Sequence, residues 1–111
     1  MQRTPLYVAS QMGHTEVVTK LIAANADVNQ ATDEGTTPLC IASQDGHTEV
    51  VTKLLAANAS VDQANNNGAT PLYIACKEGH TEVVTTLLAS DASVGRAKND
   101  GATPLYIACK E

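Results

Sequence analysis

One phrase recurs at a fixed interval along this chain, and the interval governs what the chain can fold into. Thr4-Pro5-Leu6-Tyr7-Val8-Ala9 returns 33 residues later as Thr37-Pro38-Leu39-Cys40-Ile41-Ala42. It returns again as Thr70-Pro71-Leu72-Tyr73-Ile74-Ala75 and as Thr103-Pro104-Leu105-Tyr106-Ile107-Ala108. A second phrase, Gly-His-Thr-Glu-Val-Val, starts at Gly13, Gly46 and Gly79. Repetition this strict describes a small unit stacked on copies of itself, not a single globular core. Function then belongs to a surface assembled from equivalent positions, and not to a pocket.

Residues 37–69 form one complete unit. Thr37 before Pro38 reads as a helix cap followed by the first helical residue. The hydroxyl can accept an orphan amide hydrogen bond, and proline has no amide to leave unpaired. Leu39, Ile41 and Ala42 supply an apolar side, and Gly46 ends this short helix because glycine adopts the left-handed conformation at little cost. His47-Thr48-Glu49 opens a second helix, with Glu49 where the helix dipole favours an anion. Val50, Val51, Leu54 and Leu55 make one stripe of a 3.6-residue period. Asn58 then stops the helix, as Asn25 and Asp91 do at the equivalent places. After Val61 the chain is polar up to the turn signal Asn66-Asn67-Gly68. Neither helix could bury its stripe alone, so stacking must do it.

These units resemble the ankyrin repeat over essentially the whole chain. The matching residues are Gly-x-Thr-Pro-Leu at Gly35, Gly68 and Gly101, then Gly-His-x-x-Val-Val, then the paired leucines, then Ala-x-Val. The resemblance implies an all-α solenoid of stacked helix–turn–helix units with β-turn loop fingers. Its expected division is 4–36, 37–69 and 70–102, with a partial unit at 103–111, as a fragment of a longer array. The family usually carries His after Thr-Pro-Leu, where this chain has Tyr7, Cys40, Tyr73 and Tyr106. That histidine helps hydrogen-bond neighbouring loops. The tyrosines can replace it by packing and one hydroxyl bond, but Cys40 cannot do so equally, so the second unit is expected to be locally weak.

Composition narrows the function. The formal net charge is −5, from 7 basic and 12 acidic residues. Nucleic-acid backbones, which need clustered Lys and Arg, are poor partners for such a chain. No stretch approaches the roughly 18 apolar residues of a membrane span. Cys40, Cys76 and Cys109 are odd in number and lie inside the units, which fits free thiols and a cytoplasmic or nuclear location.

Chemistry finds little support. His14, His47 and His80 sit at identical positions on stacked units, and packed helices lie about 8–10 Å apart. Zn–N bonds of about 2 Å cannot gather them around one ion. They read instead as helix-entry residues bonding to backbone. A Cys76–His80 nucleophilic pair would have to act across the helix stop at Gly79 with no orienting third group. The glycines at 35, 68 and 101 lack the lysine and hydroxyl residue of a phosphate loop. No catalysis, cofactor or metal is expected.

The units differ mainly at their loop tips and at the exposed ends of their first helices. Thr32-Asp33-Glu34 stands against Asn65-Asn66-Asn67 and Lys98-Asn99-Asp100, and Gln44-Asp45 against Lys77-Glu78. In proteins similar to this one, such positions line a concave groove that binds partner proteins. The resemblance therefore implies a protein-interaction scaffold whose partner-binding residues are Asp33, Glu34, Thr36, Gln44, Asp45, Asn66, Asn67, Lys77, Glu78, Asn99 and Asp100. Asp33, Glu34 and Asp45 make the centre mildly acidic, which suits a polar or basic protein segment. The alternative is a structural spacer, or a segment that associates weakly head to tail through its unfinished ends.

Overall fold

The computed structural model describes residues 3–95 together with 99 and 101. Among these are six helices: α1 (Pro5–Met12), α2 (Thr15–Ala23), α3 (Pro38–Gln44), α4 (Thr48–Ala56), α5 (Pro71–Glu78) and α6 (Thr81–Ala89). They form three pairs, and no strand occurs among the described residues. The partial unit expected at 103–111 lies outside them.

Each first helix starts as its Thr-Pro pair dictates. Thr4, Thr37 and Thr70 are extended at ψ near 160°, and their hydroxyls accept from the amides of Tyr7, Cys40 and Tyr73 at 3.1, 3.1 and 3.2 Å. Each such cap contributes about 1 kcal/mol. Gly13, Gly46 and Gly79 then turn left-handed, at φ 75°, 74° and 75°. The second helices stop where polar residues tolerate the same conformation. Asn25, Asn58 and Asp91 have φ of 67°, 66° and 66°.

Two rows of helices result. The first helices pack side by side in the order α1, α3, α5, and the second helices in the order α2, α4, α6. Between the rows runs one continuous core that includes Leu6, Val18, Leu39, Val51, Leu54, Leu72, Val83 and Leu87, each at most 1% exposed. Short aliphatic side chains suit this arrangement, because helices of only seven to nine residues leave little depth to fill. Among the described residues, the hydroxyls of Ser10 and Ser43 are buried in the first-helix row without a hydrogen-bond partner.

Burial depends on the place of a unit in the stack. Val50 and Val83 are each 1% exposed, whereas the equivalent Val17 is 47% exposed. Pro38 and Pro71 are buried, whereas Pro5 is exposed. The preceding unit covers these positions in the second and third pairs. No helix among the described residues is long and apolar enough to cross a membrane.

Candidate interaction groove

Hydrogen bonds across each junction hold the units in register, and they determine which polar groups remain available. The imidazole Nε2 of His47 donates to the carbonyl of Gln11 at 2.9 Å, and that of His80 donates to Gln44 at 2.9 Å. Each histidine thus reaches back to the end of the preceding first helix. A Cβ on Gly13 would lie 2.7 Å from His47 Nδ1, and one on Gly46 would lie 2.9 Å from His80 Nδ1. The glycine phrase therefore serves two ends, a left-handed stop and a bare surface on which the next histidine lies.

A second set of ties runs between loop tips. The Asn66 amide donates from its backbone to Glu34 O at 3.0 Å, and its side chain donates to Asp33 O at 2.9 Å. Asn99 repeats this one unit on, bonding Asn67 O at 3.0 Å and Asn66 O at 3.1 Å. A third set lies at the loop entry, where Ser60 N donates to Asn29 Oδ1 at 2.8 Å and Ser93 N donates to Asp62 Oδ1 at 3.0 Å. Gly35 and Gly68 lie against Asn66 and Asn99, whose Oδ1 atoms would meet a Cβ at 2.5 and 2.3 Å. No larger residue fits there without moving the neighbouring loop.

Within each tip, one polar side chain clasps the turn. Thr32, only 6% exposed, accepts from the amides of Glu34 and Thr36, both at 3.3 Å. Asn65 does the same for Asn67 and Ala69 at 2.9 and 3.0 Å. The two tips look unlike in sequence, yet a hydroxyl and an amide oxygen perform the same closure.

The positions expected to form the groove then separate by what their side chains do. Asp33, Glu34, Gln44, Asp45, Asn67, Lys77 and Glu78 are exposed. Thr36 is half-buried and joined to the Thr32 clasp. Asn66 and Asn99 are exposed, but their side-chain amides are held by the preceding tip. Asp100 lies outside the described residues.

Sequence reasoning passed over one group in this region, Tyr7 with Arg3. The Arg3 guanidinium carbon stands 5.8 Å from the centre of the Tyr7 ring, within range of a cation–π contact. Burial pushes the Tyr7 hydroxyl above its ordinary pKa; Arg3 opposes this, and Glu34 and Asp45 add to it. One carboxylate from the loop of the first unit and one from the second unit thus act on this tyrosine. The repeated aromatic after Thr-Pro-Leu was the available signal. Met12, 59% exposed, stands where the next units carry Asp45 and Glu78, so the groove changes from apolar to charged along its length.

The thiol of Cys40 is fully buried, and Sγ–H donates to the carbonyl of Gln63 at 3.7 Å. Cysteine thus supplies a weak bond from the second first-helix to its own unit's loop. Cys40 and Cys76 are free thiols, and burial raises the pKa of both. That shift is opposite to the activation of a nucleophilic cysteine, and His80 is already turned to Gln44. Among the described residues, no group of three or more His, Cys, Asp or Glu side chains could hold a metal ion.

A family model described as ankyrin repeats (3 copies) matches the chain over residues 1–65 and 57–111. No curated protein matches it.

Proposed function

Because the chain belongs to the ankyrin-repeat family, whose units are generally protein–protein interaction modules, we propose that it binds a partner protein along the groove of its loop tips and first-helix ends. The observation that supports this reading is a division of labour among the polar groups. Histidine rings, loop amides and threonine clasps are consumed in holding units together. Glu34, Asp45, Lys77 and Glu78 are exposed at the tips and first-helix ends that those ties align.

Within the groove, the first two units offer carboxylates around Tyr7, and the third offers mixed charge through Lys77 and Glu78. The fitting partner is a polar or basic segment lying across at least two units, with its cationic side chains toward Glu34 and Asp45. Few Tyr, Trp or Arg anchors are present, which favours modest affinity with a strong dependence on salt.

The test is a fluorescence-anisotropy titration with unstructured peptides of basic, neutral and acidic composition. Basic peptides should bind best, and combined Asp33→Lys, Glu34→Lys and Asp45→Lys should weaken them about tenfold or more, a change of about 1.4 kcal/mol. Equal binding of all three peptides, or no effect of the reversal, would overturn this assignment.

A further inference from the structure

The chain contains seven asparagines, at 25, 29, 58, 65, 66, 67 and 99, and all lie among the described residues. Four have their side chains engaged. Asn29 Oδ1 accepts from Ser60 N, and Asn65 Oδ1 accepts from Asn67 N and Ala69 N. Asn66 Nδ2 and Asn99 Nδ2 donate to Asp33 O and Asn66 O. Asn25 and Asn58 are left-handed helix stops, each followed by alanine. Among the described residues, Asn67 alone is exposed, makes no side-chain hydrogen bond and precedes a glycine.

We infer that Asn67 is a site of spontaneous covalent modification, in which its side-chain amide is exchanged for a carboxylate through attack by the Gly68 backbone nitrogen. The Gly68 amide gives up its proton to water, and the nitrogen bonds to Asn67 Cγ. The Cγ–Nδ2 bond breaks and Nδ2 leaves as ammonia, closing a five-membered imide. Water then opens the ring. Cleavage at Cγ gives aspartate, and cleavage at the main-chain carbonyl gives isoaspartate. No electron changes hands, and the net reaction is amide plus water to carboxylate plus ammonium.

Glycine at 68 matters because a side chain there would crowd the attacking nitrogen. The loop also supplies a brake. Gly68 N–H donates to Asn65 O at 2.9 Å, so the nitrogen must leave that bond before it can attack. Opening of an exposed loop tip is a small local event that does not require global unfolding. The other two tips have no amide to lose: Glu34 precedes Gly35, and Asp100-Gly101 can close the same imide only by expelling water, which adds no charge.

The product alters the candidate groove. Isoaspartate routes the main chain through Cβ and Cγ, lengthening the tip by one carbon beside the Asn67 carbonyl that accepts from Asn99 N at 3.0 Å. Both products add a negative charge to the tip that follows Asp33 and Glu34. The modification stands whether or not the groove is the binding site.

The experiment is timed incubation of the full chain in mildly alkaline buffer, followed by peptide mapping with isoaspartate detection. The Asn67 peptide should hold most of the converted amide, and Asn67→Ser should remove most of the acidic species that accumulates on charge-separating chromatography. The chain in denaturant should convert faster at Asn67 than the folded chain, by the factor the Asn65 brake supplies. Conversion spread evenly over the asparagines, an acidic species that persists in Asn67→Ser, or a folded chain in which Asn67 stays intact while other sites convert would overturn the inference.

Discussion

Val17 and Val50 occupy the same position in the same sentence, Thr-Glu-Val-Val-Thr-Lys, yet the stack treats them differently. Val50 is 1% exposed and Val17 is 47% exposed. Truncation to alanine removes two methyl groups from each, and the change in helix propensity is common to both and cancels in the difference. At Val50 the lost transfer energy is about 1.6 kcal/mol, at about 0.8 kcal/mol per buried carbon. The residual cavity raises the loss to about 2–3 kcal/mol. At Val17 water fills the space and only about half the transfer term, about 0.8 kcal/mol, is lost. Val50→Ala should therefore cost about 1–2 kcal/mol more than Val17→Ala. In urea unfolding followed by circular dichroism, that is a difference in midpoint of roughly 0.5–2 M for a slope of about 1–2 kcal/mol/M. Equal losses in the two variants would refute the claim that a preceding unit, and not the local sequence, buries the position.

Two further outcomes follow from the same junctions. Gly46→Ala and Gly79→Ala share a left-handed backbone and so a cost of about 1–2 kcal/mol, but only Gly46 faces an imidazole, that of His80. Gly46→Ala should cost about 1 kcal/mol more, the net worth of the displaced His80–Gln44 bond, and matching urea midpoints would remove that contact from the account. Stability should also fall at alkaline pH. Burial holds the protons of Cys40, Cys76 and Tyr7 more tightly in the folded chain, so the unfolded chain releases them first as pH rises. Their contribution is complete below about pH 8.5, the ordinary thiol range, and declines above it. Thermal melts between about pH 7 and pH 10 should show the decline, and Cys40→Ala should flatten it; an unchanged slope in that variant would place the effect elsewhere.

The sequence made each unit legible because each signal is local. Thr-Pro caps, glycine stops and the left-handed Asn25, Asn58 and Asp91 depend only on neighbours along the chain. The junctions were not legible in the same way. A period of 33 identifies equivalent residues but does not say which groups meet across a gap. His47 bonds 36 residues back, Asn66 bonds 33 back and Ser60 bonds 31 back. Those offsets arise from how one unit is displaced on the next. For the same reason Asn66 and Asn99 read as available loop amides in the sequence, whereas the fold assigns both to the preceding tip. Cys40 looked like a missing bond because a thiol is a weak donor, and only the closeness of Gln63 O reveals its partner.

The ties described between units each cross one junction and none skips to the next but one. Histidine to carbonyl, asparagine to loop tip and serine to Asn29 or Asp62 all join nearest neighbours. Mechanically this is a set of links in series. Tension applied along the chain would not be shared across the molecule, and the weakest junction would yield by itself. Each yield would release one period of chain, on the order of 110 Å when extended, so the array would pay out its length in discrete strokes of nearly equal size.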